Sequence, residues 1–149
     1  MTTAYVALGS NLGDREAAIR RAAELIGARR LSTIRETEPW GYADQPRFLN
    51  AVAEVETELG PRALLERLLA VERKLGRERT GPRYGPRTID LDLLVHGDAT
   101  VSEPGLEVPH PRLAERLFVL EPLAELAPAL AIPGAGTVQE LLRGLQSGA

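Results

Sequence analysis

The sequence predicts an α+β fold, a mainly antiparallel sheet with helices packed on its faces in α/β/α layers. Three observations lead there. Segments of period two and segments of period 3.6 follow one another along the chain. Phe48 to Glu58 alternates apolar and polar residues as a half-buried strand with an antiparallel neighbour does. The 149 residues suit one domain, residues 1–149, with neither a repeat nor an interdomain linker.

Thr3 to Ser10 is rich in β-formers and predicts the first strand, ending in Gly-Ser-Asn. Asp14 is placed to cap a helix running to about Ile26, with Ala18, Ala22, Leu25 and Ile26 at helical spacing. Leu31 to Thr37 is the second strand. Glu38 to Arg47 holds Pro39, Gly41 and Pro46, too many breakers for a regular element, and predicts an exposed loop. In Phe48 to Glu58, Leu49, Ala51, Ala53 and Val55 face one way, with Asn50, Glu54, Glu56 and Glu58 mostly opposite. Pro61 in a first helical turn and Gly76 at C′ bracket Leu64, Leu65, Leu68, Leu69, Val71 and Leu75 as a buried stripe. Arg77 to Pro86 predicts a second loop, and Thr88 to His96 a strand ended by Gly97-Asp98. Leu113 to Leu126 is helical with an interruption at Pro122, and Thr137 to Glu140 is a capping box opening a last helix. Strands and helices in this order suggest a sheet of ferredoxin-like type.

Composition narrows the function. Apolar residues at 44% and charged residues at 26% belong to a soluble globular chain, not to a fibre or a disordered tail. Cysteine is absent, which excludes disulfides, thiolate ligands and thiol nucleophiles. Thr2 to Asn11 lacks the basic start and apolar length of a signal peptide, and no later run reaches membrane-spanning length, so a cytoplasmic, membrane-free protein is expected. A net charge of −3 argues against a broad nucleic-acid surface. Its distribution is more telling. Of 18 basic residues only Lys74 is lysine, and Arg73, Lys74, Arg77, Arg79, Arg83 and Arg87 crowd around a single acid, Glu78. That stretch can hold an anion.

Asp90 and Asp92 carry the chemistry. Residues two apart in a strand share a face, so both carboxylates stand together while Ile89, Leu91 and Leu93 enter the core. Mg²⁺ suits such a gap, since it takes one or two carboxylates and completes its octahedron with water and phosphate oxygens. Two solvated aspartates would account for the tripeptide equally well; the arginines before it decide. Carboxylates, a metal and guanidinium forks form a polyphosphate site. No Gly-x-x-x-x-Gly-Lys-Ser/Thr is present, and Gly9-Ser-Asn-Leu-Gly13 lacks its lysine, so a P-loop is excluded. His110, between two prolines and near Arg116, can donate to a phosphate, although a lone histidine is more often structural. Trp40 and Tyr84 on loops can sandwich a flat heterocycle; for Phe48 and Phe118 core packing is the simpler reading.

Taken together, Gly9-Ser-Asn-Leu-Gly13, Thr37-Glu-Pro-Trp-Gly41, Asp44-Gln-Pro-Arg-Phe-Leu-Asn50, Arg83-Tyr-Gly-Pro-Arg-Thr-Ile-Asp-Leu-Asp92 and Val108-Pro-His-Pro-Arg112 resemble the 6-hydroxymethyl-7,8-dihydropterin pyrophosphokinase family of folate biosynthesis. The resemblance spans most of the chain in the family's order. It implies that the pterin hydroxymethyl oxygen attacks the β-phosphorus of ATP, the co-substrate, moving pyrophosphate as a unit and releasing AMP. Two Mg²⁺ ions would bridge the phosphates, with Asp90 and Asp92 as ligands. Glu72, Arg79, Arg83, Arg87, His110 and Arg116 would serve ATP, and Arg77 and Arg87 would move in with their loops to join the two aspartates as the catalytic set. Thr37, Pro39, Trp40, Phe48, Asn50, Tyr84 and Phe118 would line the pterin pocket, with Tyr84 and Phe118 stacking on the ring and Asn50 reading its polar edge. Tyr84 stands where tryptophan is common, Leu69 replaces a polar residue, and Pro111 an aromatic one. The expected partners are ATP and the pterin alone, bound by a monomer. An RNA-binding module of similar shape is disfavoured, because Asp90 and Asp92 would repel a phosphate backbone.

Overall fold

The computed structural model describes residues 1–11, 13–37, 48–75 and 89–147. The loops expected at Glu38 to Arg47 and Arg77 to Pro86, with the C′ residue Gly76, lie outside them.

Strand β1 (Thr2–Ser10) leads into helix α1 (Arg15–Leu25), where Asp14 accepts a hydrogen bond from the Ala17 amide at 3.1 Å and so caps the helix as its position predicted. Gly27, at φ +74°, supplies the left-handed residue that turns the chain out of α1. The second strand is split. Strands β2 (Ala28–Leu31) and β3 (Arg35–Thr37) flank Ser32, whose amide donates to the Val52 carbonyl while its hydroxyl accepts from the Val52 amide, both at 2.9 Å. Strand β4 (Phe48–Thr57) follows, then α2 (Pro61–Lys74), with Pro61 in its first turn, and β5 (Asp90–His96).

The main sheet runs β2-β4-β1-β5, with β3 also paired to β4, and all of its pairings are antiparallel. A register shift between Tyr5 and Val6 marks a bulge against β5. Beyond the sheet come the hairpin β6 (Val101–Glu103) and β7 (Leu106–Val108), a short 3₁₀ turn over Leu113–Glu115, helix α3 (Leu117–Leu126), the hairpin β8 (Ala131–Ile132) and β9 (Gly136–Thr137), and helix α4 (Val138–Ser147).

Two cores back the sheet. On one side Ala4, Val6 and Leu8 of β1 and Leu91 and Leu93 of β5 pack against Ile19 and Ala22 of α1 and Leu64 and Leu68 of α2. On the other, Tyr5, Val52 and Val95 pack against Val119, Leu120 and Leu123 of α3 and Val138 of α4. Consequently β4 is not the half-solvated strand its alternation predicted. Ala51 through Val55 are all buried, Glu54 included, because α3 covers the face assigned to solvent.

The break in Leu113 to Leu126 also falls elsewhere than expected. It lies at Arg116, which is extended at φ −115° and ψ 105° and separates the 3₁₀ turn from α3; Pro122 sits inside α3. The proline lacks an N–H, so the Phe118 carbonyl forgoes its usual helical donor, a tolerable loss in a helix buried by Val119, Leu120 and Leu123. The capping box stands as predicted: the Glu140 amide donates to Thr137 Oγ1 at 3.3 Å, and the Thr137 amide to Glu140 Oε1 at 2.9 Å. No helix among the described residues is long and apolar enough to cross a membrane.

Candidate active site

The ladder register assembles one row of residues across the sheet. Asp90 pairs with Gly9, Gly9 with Asn50 and Asn50 with Arg35; two residues to one side of this row Asp92 pairs with Ala7, and two residues to the other side Phe48 pairs with Thr37. Directly paired residues point to the same face. Asp90, Asp92, Asn50, Thr37 and Phe48 therefore share the face that α3 covers farther along. Both aspartates are half-buried, and Leu91 between them is in the opposite core. The same-face geometry predicted from their spacing holds.

Between Asp90 and Asn50 the row holds no side chain. A Cβ on Gly9 would come within 3.1 Å of Asn50 Oδ1 and 3.6 Å of Phe48 Cδ1, so glycine leaves the floor open for the two residues beside it. The Asn50 side-chain amide donates to Thr37 Oγ1, which sets its orientation. The spacing role of Gly9 was not foreseen from the sequence, where Gly9-Ser-Asn-Leu-Gly13 marked a strand end, lacked the lysine of a P-loop and carried part of the family resemblance.

Beyond β5, the His110 amide donates to the Leu94 carbonyl at 2.8 Å, just after the cis Val108–Pro109 peptide. This holds the His110 backbone against β5, and its imidazole lies in the field of Asp90 and in one cleft with Asp92. Burial, then the charges of Arg116 and Arg112, push His110 down to about 4, with Asp90 pulling the other way. The ring is neutral at pH 7. Its Nδ1 accepts the Arg112 amide at 3.1 Å, so the proton resides on Nε2, which is left as a donor. Arg116 lies 5.4 Å from the Phe118 ring centroid, a cation–π distance. Asp92 and His110 share a cleft of about 340 Å³ with Leu65, Leu106 and Pro111.

Of the residues assigned from sequence, Thr37, Phe48 and Asn50 come together on one side of Gly9, and Asp90 and Asp92 on the other. His110 feels the charges of both Arg116 and Asp90. Glu72 stands apart: it is 2% exposed, and its Oε2 accepts the Leu91 amide at 2.7 Å. Pro39, Trp40, Arg77, Arg79, Arg83, Tyr84 and Arg87 lie outside the described residues.

The chain is similar to known proteins in sequence and in fold. The family model described as 7,8-dihydro-6-hydroxymethylpterin-pyrophosphokinase matches residues 5–128. The chain is 49% identical over 129 residues to a 2-amino-4-hydroxy-6-hydroxymethyldihydropteridine pyrophosphokinase of Bacillus subtilis, covering 83% of this chain and 77% of the relative. It is 47% identical over 148 residues to the protein of that name from Methylorubrum extorquens, covering 95% and 92%. Among solved structures it is similar in fold to wild-type Plasmodium falciparum HPPK-DHPS, with a TM-score of 0.75 at 14% identity; the alignment covers 99% of this chain and 46% of the solved one. The chain thus spans less than half of that longer protein. Matched along residues 5–128 and nearly half identical to two bacterial relatives, the chain belongs to the 7,8-dihydro-6-hydroxymethylpterin-pyrophosphokinase family.

Proposed function

We propose that this enzyme transfers pyrophosphate from ATP to the hydroxymethyl group of 6-hydroxymethyl-7,8-dihydropterin, releasing AMP, in folate biosynthesis. The observation that carries it is the shared sheet face on which Asp90 and Asp92 of β5 stand across β1 from Asn50 of β4 and Thr37 of β3, with Gly9 directly between Asp90 and Asn50. Carboxylates for a metal-bound triphosphate adjoin an oriented amide for a planar polar ring. The hydroxymethyl oxygen attacks the β-phosphorus and its proton is lost. The bond from that phosphorus to the oxygen shared with the α-phosphorus breaks, and AMP leaves with the oxygen. No covalent intermediate on the protein is needed, because positioning and charge neutralisation suffice for phosphoryl transfer.

The donor set fits Mg²⁺. Among the described residues no group of three or more His, Cys, Asp or Glu gathers into a protein-only cage, whereas two same-face carboxylates match an ion that completes its octahedron with phosphate and water. Asp90 and Asp92 would hold two such ions, which would supply positive charge to neutralise the triphosphate as the bond to phosphorus is exchanged. Neutral His110 donates from Nε2 to a phosphate oxygen, and Arg116 adds a full positive charge next to it. The cleft shared by Asp92 and His110 takes the nucleotide. Phe118, held under the Arg116 guanidinium, offers its ring to the pterin with Phe48, and Asn50 and Thr37 read the polar edge. Tyr84, Pro39 and Trp40 complete the pterin pocket; Arg77, Arg79, Arg83 and Arg87 complete the phosphate site.

The ferredoxin-like reading is supported by the order β5-β1-β4-β2, in which α1 and α2 each join two strands separated by one antiparallel neighbour. Further proposals are that residues 1–149 act as one cytoplasmic, monomeric domain and that nucleic acid and membrane are not partners.

Incubation with ATP, Mg²⁺ and the pterin is expected to yield AMP, and ADP in its place would refute pyrophosphoryl transfer. Asp92→Ala is expected to leave the thermal transition within a few degrees while turnover at saturating Mg²⁺ falls by at least ~10²-fold. Near-normal turnover would remove Asp92 from the metal site.

A further inference from the structure

We propose that Glu72 is a positioning residue for the aspartate pair: it holds the peptide of Leu91, between Asp90 and Asp92, and so fixes the separation of the two carboxylates. The proposal rests on the metal-site reading above, and differs from the ATP contact that the resemblance implied for this residue.

Three observations converge on it. Strand β5 lies at the end of the sheet path, so amides on its outer side have no ladder partner among the described strands. The Leu91 amide is met there by Glu72 Oε2 at 2.7 Å, the short distance of a charge-assisted hydrogen bond. Glu72 is 2% exposed and sits on α2, whose Leu64, Leu68 and Val71 are locked in the core, so the carboxylate has a rigid base.

The geometry needs such a brace. Past Leu93 the register of β5 against β1 shifts, so regular pairing with β1 reaches only from Asp90 to Leu93. Strand β1 holds this segment from one side and Glu72 from the other. An octahedral ion with short metal–oxygen distances tolerates little drift between its ligands. A direct contact with ATP fits less well: the carboxylate is almost wholly covered, and it would repel the triphosphate.

Two variants separate reach from charge. Glu72→Gln keeps an oxygen at the same distance and loses the charge; Glu72→Asp keeps the charge and withdraws it by one methylene. The readouts are Mn²⁺ affinity by electron paramagnetic resonance, with a non-hydrolysable ATP analogue present, and exchange of the Leu91 amide proton by NMR. With Glu72→Gln, Mn²⁺ affinity is expected to stay within about threefold of wild type, and with Glu72→Asp to weaken by roughly tenfold or more while Leu91 exchanges faster. The reverse ranking, with Gln the weaker binder, would assign Glu72 to charge contact and overturn the proposal. So would unchanged Mn²⁺ affinity in both variants. Wild-type protein that binds Mn²⁺ in the expected ranking but forms no AMP would overturn the pyrophosphoryl-transfer reading and leave the role of Glu72 standing.

Discussion

At the scale of single residues, the site depends as much on a missing side chain as on those present. Gly9 lies in the row between Asp90 and Asn50, and a methyl group there would press on Asn50 Oδ1 at 3.1 Å. Asn50 cannot yield freely, because its amide is bonded to Thr37. Gly9→Ala is therefore expected to weaken pterin binding by roughly ten- to hundredfold, the ~1–3 kcal/mol of a small overpacking, while ATP-analogue affinity changes little. Titration calorimetry with each ligand checks this, and unchanged pterin affinity would take Gly9 and Asn50 out of the pocket. The aspartate pair was legible in the sequence because a period of two is local information. Gly9 was not, because its significance comes from strands β4 and β5, some forty and eighty residues away, and no local pattern encodes which residues a sheet will set opposite one another.

At the scale of elements, boundaries followed the sequence wherever a side chain itself closes the element. Asp14 caps α1, Pro61 opens α2, and the Thr137–Glu140 box opens α4. Thr137→Ala removes the hydroxyl that accepts the Glu140 amide, and the expected cost is about 1 kcal/mol. For a chain of this length that corresponds to a fall in melting temperature of roughly 3–5 °C, measurable by thermal denaturation; an unchanged transition would mean that α4 adds nothing to global stability. Boundaries set by tertiary contacts were not legible. Ser32 splits the second strand through its double engagement with Val52, and Arg116 halts the 3₁₀ turn before α3, though neither is a breaker by type. Pro122 is a breaker by type and yet lies within α3. Charged contacts then bind the split strand to that helix: Glu125 accepts from the Thr33 amide at 2.9 Å and from Arg35 at 3.3 Å, and Arg30 donates to the Leu126 carbonyl at 2.8 Å.

At the scale of the whole molecule, covering both faces of the sheet buries groups whose ionisation then governs stability. Glu54 read as a solvent residue because alternation reports which face a residue takes, not what later packs on it. With α3 in place it is 6% exposed, accepting from Tyr5 at 2.9 Å and from Arg30 at 2.8 and 3.1 Å. The Arg30 bonds hold its carboxyl below 4.5 against the opposing effect of burial, while burial and Glu54 raise the Tyr5 hydroxyl to about 12. A carboxylate with a depressed pKa stabilises the fold above its unfolded value, and that contribution is lost as pH falls below 4.5. His110 has the same sign for a different reason. It is neutral in the fold down to about 4 but takes up a proton near 6.5 when unfolded, so its contribution is complete above 6.5 and disappears between 6.5 and 4. Acid should therefore weaken the ligand-free protein in two stages. Urea unfolding at intervals from pH 8 to pH 3 is expected to give a plateau above 7, a decline from 6.5, and a steeper decline below 4.5. His110→Gln should flatten the first decline and spare the second, and Glu54→Gln should lower stability at pH 7 and soften the second. A wild-type plateau extending unbroken to pH 4.5 would show that burial and the charges of Arg116 and Arg112 do not hold the imidazole neutral below its ordinary pKa.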